Sequence, residues 1–314
     1  MKNIQHLYVY ESRRTKLYPP FIPSVQFTNV QGLLSLRIKT LFHHWSEVDR
    51  LAGWLKGQQQ LRHLQLMTQG KSVLVSLFSA LATCHLPNLQ SFGFQAVKMN
   101  SGSVVDHQKL YAALEKLVST WTSLTTVELM GDEKCLGVDL DAHIVCGYLS
   151  QLPRLHTLTI HLCLFQLYSD PTDYPVFPKL EQFKVIKQGA AGHANDYLSK
   201  CGWPRLQTFR YPLVPWTSAH VRLMLDHAPY LRAFKFLIPL AEPAHVWLHE
   251  LTATTRPFVT SVRMYLEDDV RVFSSIVDIH ALRTAFPHAH ISKYNQGNED
   301  VTRGVNISNR WKRI

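Results

Sequence analysis

The chain has 314 residues, of which 46% are hydrophobic and 18% charged, with a formal net charge of +10. That balance excludes an intrinsically disordered chain, and no apolar run reaches the roughly 18 residues that a membrane-spanning helix needs. The basic excess sits at the ends, with six Lys/Arg against one acidic residue in 1–39 and five against two in 293–314. Such a field favours acidic partners or nucleic acid and says nothing about fold.

From the amino terminus the chain opens directly on a hexad with apolar residues at its first, fourth and sixth positions, Ile4/Leu7/Val9. The same frame returns as Leu33/Leu36/Ile38, Leu61/Leu64/Leu66, Leu89/Phe92/Phe94, Leu124/Val127/Leu129, Leu155/Leu158/Ile160, Leu180/Phe183/Val185, Leu206/Phe209/Tyr211, Leu231/Phe234/Phe236, Val259/Val262/Met264 and, more weakly, Phe286/Ala289/Ile291. First positions lie 25 to 35 residues apart. The fourth and sixth positions alternate as in a short strand and not at the 3.6 spacing of a helix. One supersecondary unit per period, repeated eleven times, predicts a solenoid.

Between the strands, Glu11 to Pro23 is proline-rich and reads as an extended return, since proline lacks the amide a helix requires. Residues 45–56 place Trp45, Val48, Leu51, Ala52 and Leu55 on one face ahead of Gly57, which predicts an amphipathic helix. Further helices are expected at 72–84, 104–120, 140–151, 217–227, 243–254 and 271–285. Pro87, Pro153, Pro178, Pro204, Pro229 and Pro257 each stand two residues before the first apolar position, where proline ends the helix and launches the next strand. Asn100–Ser103 and Tyr168–Pro175 carry turn chemistry and break the rhythm. Residues 1–296 are thus expected to form one solenoid domain of about eleven irregular repeats, and 297–314 a flexible basic tail.

This pattern resembles the ribonuclease-inhibitor-like leucine-rich repeats, and especially the divergent repeats of fungal-type F-box proteins. The resemblance implies an α/β horseshoe with a parallel inner sheet and outer helices. It also implies a role as the substrate-binding repeat region of a ubiquitin-ligase receptor. Two departures stand out. The family places Asn or Cys three positions beyond the last apolar residue, and here only Cys163 meets that. An F-box is expected ahead of the repeats, whereas Ile4 to Val9 already reads as a repeat strand, so a ligase adaptor is an expected partner only of a chain carrying that module.

On each strand the residue between the second and third apolar positions points away from the core. That column reads Tyr8, Arg37, Gln65, Gly93, Glu128, Thr159, Lys184, Arg210, Lys235, Arg263 and His290, and its last five members are basic or histidine. Strands about 4.8 Å apart would stack them into a positive ladder suited to a protein or an acidic or phosphorylated peptide. Each neighbouring like pair costs up to about 0.9 kcal/mol in water. Tyr8 and Arg37, flanked by His6, Tyr10, His63 and Met67, extend the candidate surface at the other end. The alternative reading is a nucleic-acid or ribonucleoprotein scaffold using the basic surfaces.

Catalysis and cofactors have no footing in the motifs. There is no phosphate-cradling Gly-x-x-x-x-Gly-Lys, no Gly-x-Ser-x-Gly and no His-Glu-x-x-His. The histidine pairs His43–His44, His245/His249 and His288/His290 lack a third ligand at metal spacing, and Glu267–Asp269 reads as a solvated turn. Five cysteines without a Cys-x-x-Cys, and an amino terminus without a signal core, lead to an expectation of a reduced intracellular setting, cytoplasmic or nuclear.

Overall fold

The structure, a computed structural model, describes residues 4–10, 30–39, 45–69, 71–97, 105–131, 140–161, 164–166, 171–186, 194–238, 258–266, 286–295 and 305–306. The chain divides into two compact units, Met1–Ser169 with Gly189–Ala191 and Asp170–Gln188 with Gly192–Ile314. Both are α/β and built on parallel strands.

The first unit runs β1 (His6–Tyr10), β2 (Ser35–Lys39), α1 (Trp45–Leu55), β3 (His63–Gln69), α2 (Lys71–Leu81), β4 (Ser91–Val97), α3 (His107–Thr120), β5 (Thr126–Gly131), β6 (Leu140–Asp141), α4 (Ala142–Ser150), β7 (Thr157–His161) and β8 (Phe165–Gln166). Its strands pair in parallel in the order β1-β2-β3-β4-β5-β7, while β6 and β8 pair separately. The register joins the fourth hexad position of each repeat to that of the next: Leu7 to Leu36 to Leu64 to Phe92 to Val127 to Leu158. From Leu36 onward these side chains are buried, so a slip of one residue would turn every apolar side chain to the other face.

Each helix buries one stripe. In α2 that stripe is Val73, Leu74, Leu77, Phe78 and Leu81, and in α3 it is Leu110, Ala113, Leu114, Leu117 and Val118. The Asp106 side chain caps α3 by accepting the Lys109 amide at 3.1 Å, and Asp141 caps α4 by accepting from His143 and Ile144. Trp121 closes the turn after α3, with Nε1 donating to the Cys84 carbonyl at 3.1 Å and its ring edge-on to Phe92.

A second regularity lies in the backbone just before each strand. One carbonyl accepts two consecutive amides of the next repeat: Gln5 from Leu34 and Ser35, Leu34 from Arg62 and His63, Arg62 from Gln90 and Ser91, Gln90 from Thr125 and Thr126, and Thr125 from His156 and Thr157. This staircase pairs the backbone groups at the entry to each strand, where the turn gives way to the sheet.

The second unit runs β9 (Gln182–Ile186), α5 (Ala194–Lys200), β10 (Thr208–Pro215), α6 (Ser218–His227), β11 (Ala233–Ile238), β12 (Ser261–Leu266), β13 (His290–Asn295) and β14 (Val305–Asn306). Strands β9 to β13 are parallel, and β14 pairs antiparallel to β13. The carbonyl staircase continues here, Glu181 accepting from Gln207 and Thr208, Gln207 from Arg232 and Ala233, and Arg232 from Thr260 and Ser261. Helix α5 has no counterpart in the periodicity reading. Its seven residues bury Tyr197 and Leu198 and are held by α6, where His220 Nε2 donates to Asp196 Oδ1 at 2.6 Å. Within the expected tail at 297–314 only Val305 and Asn306 are described, and they pair with Lys293 and Ser292. The helices expected at 243–254 and 271–285, the return at 11–23 and the loop at 100–103 lie outside the described residues.

The core of this unit is aromatic. Trp203 stacks on Phe177 and on Phe183, each with centroids 5.0 Å apart, and Phe209 meets Trp216 edge-on at 5.2 Å. Gly202 admits the chain past Val176, to which it is joined by an isolated parallel bridge. A Cβ at Gly202 would lie 2.8 Å from Val176 Cγ2 and 3.2 Å from its Cβ, and a β-branched side chain has no rotamer that relieves both. Gly202→Ala is therefore expected to lower stability by about 1–3 kcal/mol, read as a fall in the urea midpoint with the slope unchanged.

Candidate interaction surface

The outward column of the second unit is set by the pairing of its strands. Lys184 is directly opposite Arg210, Arg210 opposite Lys235, and Lys235 opposite Arg263. Lys184 and Arg210 are exposed and Lys235 is half-buried, while Phe183, Val185, Phe209 and Tyr211 on the alternate positions are buried. The strands β9 to β13 contain no acidic residue at all. Like charges in neighbouring strands repel by up to about 0.9 kcal/mol per pair at strand spacing, so an anion bridging them relieves a cost already present in the fold.

His290 does not belong to this column. It pairs with Ser261, and Ser292 is the residue opposite Arg263. The cause is a strand that starts one residue early. The Ala289 amide donates to the Phe286 carbonyl, as Leu231 donates to Ala228 and Leu206 to Trp203, so Phe286 is the buried residue before the turn and Ala289 is the first hexad position. Ile291, the partner of Val262, then follows Ala289 by two positions, where Phe234 follows Leu231 by three. The signal was present in Pro287-His288-Ala289, which repeats the Pro-x-apolar lead-in of Pro229-Tyr230-Leu231.

In the first unit, Tyr8 and Arg37 are brought together. They are register partners, and the Arg37 guanidinium lies 5.4 Å from the Tyr8 ring centroid as a cation–π pair. The column continues through Gln65, Gly93, Glu128 and Thr159. Gln65 leans across the space Gly93 leaves, its Cγ within 3.1 Å of where a Cβ would stand. Of the flanking residues, His6 and His63 are exposed and Met67 is half-buried. This column mixes charge signs and polarity, and only the second unit presents a uniform one.

Other chemistry is spoken for by the fold. The ring of His220 is committed at both nitrogens, Nδ1 accepting the Thr217 amide in a capping box and Nε2 donating to Asp196, so it has no nitrogen left for a nucleophile. Cys84, Cys146 and Cys201 are buried, and burial pushes the Cys84 thiol above its ordinary value, which disfavours the reactive thiolate. An apolar cavity of about 20 Å³ lies among Leu74, Phe78, Phe94, Leu129, Leu140 and Val145 of the first unit, room for hardly more than one water. Among the described residues no group of three or more His, Cys, Asp or Glu converges as a metal site, and no helix is long and apolar enough to cross a membrane.

No protein-family model matches the chain, and no curated protein matches it. Among solved structures it is similar to the crystal structure of the Rad7 and Elc1 complex in yeast, at 11% identity and a TM-score of 0.32, over 88% of this chain and 79% of that one.

Proposed function

We propose that the two units are stretches of a leucine-rich-repeat solenoid acting as a protein-recognition module without catalysis of its own. In this reading it is the substrate-binding repeat region of an F-box-type ubiquitin-ligase receptor, or a derivative working without the F-box. The partner is an acidic or phosphorylated peptide, read by the cationic column of the second unit. The observation that carries the reading is the side-by-side register of Lys184, Arg210 and Lys235 on strands devoid of carboxylates. Arg offers such a partner a bidentate fork and Lys a point charge. The hexad register and the carbonyl staircase support the solenoid part, because both recur repeat by repeat.

The test is charge reversal where the side chains are already exposed. Lys184→Glu with Arg210→Glu is expected to weaken binding of a fluorescent phosphoserine- and glutamate-rich peptide at least about tenfold, or 1.4 kcal/mol, in an anisotropy titration. The urea midpoint should stay close to that of the unaltered chain, since neither side chain packs in the core. Equal affinity for the peptide before and after reversal would reject the assignment.

A further inference from the structure

The carbonyl staircase places a second row of side chains in line, at the turns that precede the strands. Lys179, Arg205 and Tyr230 stand two residues before the accepting carbonyls of Glu181, Gln207 and Arg232, and Phe258 stands two residues before Thr260, which donates to Arg232. All four are exposed, Tyr230 at 61% and Phe258 at 65%. The two rings are the most exposed large hydrophobic side chains among the described residues. Arg232 is exposed between the two ringed turns, and among the described residues neither Arg205 nor Arg232 is engaged by a carboxylate. The row therefore passes from cations to aromatic rings along successive turns, and its backbone is pinned turn to turn by pairs of hydrogen bonds.

We propose that this edge of the second unit binds single-stranded nucleic acid, with Tyr230 and Phe258 stacking on bases and Lys179, Arg205 and Arg232 on phosphates. Rings that stand proud of the surface offer flat faces, which bases match. An apolar side chain of a peptide gains most from a pocket it can fill, and hot spots lie in such desolvated recesses. Base–aromatic stacking needs no pocket and tolerates any sequence. Charge complementarity adds to it, since the three exposed cations Lys179, Arg205 and Arg232 outnumber the one carboxylate beside them, Glu181, and the adjoining strands carry no acid. The site is separate from the Lys184–Arg210 face, so the peptide-binding reading and this one stand or fall independently.

Anisotropy titrations of the full chain with fluorescein-labelled oligo(dT) and oligo(U) of about 15 nucleotides test it. Tyr230→Ala with Phe258→Ala is expected to weaken both probes roughly tenfold or more, and Tyr230→Phe with Phe258→Tyr to restore them. Arg205→Ala with Arg232→Ala is expected to flatten the slope of log affinity against log salt by about 1.4, at ~0.7 for each phosphate of a single strand that is no longer neutralised. All of these side chains are exposed, so thermal melts should match the unaltered chain. Three outcomes would overturn the proposal: no binding of either probe at about 50 mM salt, alanine variants binding both probes as the unaltered chain does, or ring-dependent binding of the acidic peptide with no such dependence for the oligonucleotides. The last would assign the edge to a protein partner.

Discussion

Trp203→Ala is expected to cost about 3–5 kcal/mol, the range for truncating a fully buried aromatic side chain. Trp203 is wholly shielded from solvent, and its ring is stacked between Phe177 and Phe183. Its Nε1 donates to the Leu198 carbonyl at 3.0 Å and its amide to the His227 carbonyl at 3.1 Å. The indole thus ties the end of α5 to the strands, and truncation leaves both a cavity and an unpaired carbonyl on a short helix. Trp203→Phe separates these effects. It keeps most of the stacking and removes the donor, so about 1–2 kcal/mol of the loss should remain. Urea unfolding followed by far-ultraviolet circular dichroism reads both values. A loss under about 1 kcal/mol for the alanine variant would mean that the aromatic stack is not the core of this unit.

Tyr211→Phe is expected to act in the opposite direction, raising stability by about 1–2 kcal/mol. Tyr211 sits in the same cluster, fully buried, with Trp216 edge-on at 5.4 Å, but among the described residues its hydroxyl has no hydrogen-bond partner. Removing the hydroxyl keeps the ring contacts and ends the desolvation cost. The gain should grow at alkaline pH. Burial pushes the Tyr211 hydroxyl well above its ordinary value, so the folded chain holds this proton where the unfolded chain releases it. The unfolded state then binds fewer protons, and stability falls as pH rises past about 10, by ~1.4 kcal/mol per unit at most. Below that pH the contribution is fully present. The advantage of the phenylalanine variant, measured as the difference in urea midpoint, should therefore be constant from neutral pH up to about 9 and widen above 10.

The register of the strands was legible in the hexads because a period of two leaves no freedom once one face is buried. Leu36, Leu64, Phe92, Val127 and Leu158 had to align or be exposed together. The helices α1 to α4 and α6 were legible for the analogous reason at a period of 3.6. Helix α5 was not. Seven residues of Ala194-Asn-Asp-Tyr-Leu-Ser-Lys200 are too few to show a stripe, and a helix that short holds only through contacts such as His220 with Asp196.

The same division holds for the candidate surfaces. Alternation along a strand named Lys184, Arg210 and Lys235 as outward neighbours, and the pairing of β9, β10 and β11 joins them. It failed at His290, because a single residue missing between turn and strand, signalled by the Pro287-His288-Ala289 lead-in, moves the partner of Arg263 to Ser292. The row at Arg205, Tyr230 and Phe258 occupies the middle of the Pro-x-apolar lead-ins, so its phase was written in the sequence. Its exposure and its alignment turn by turn came only with the carbonyls that each accept two amides from the following repeat. What the order of residues determined by itself was which faces must be buried, since that is a matter of hydrophobic pattern. What tertiary structure decided was which exposed residues become neighbours, since that is a matter of hydrogen bonds between repeats some 25 residues apart.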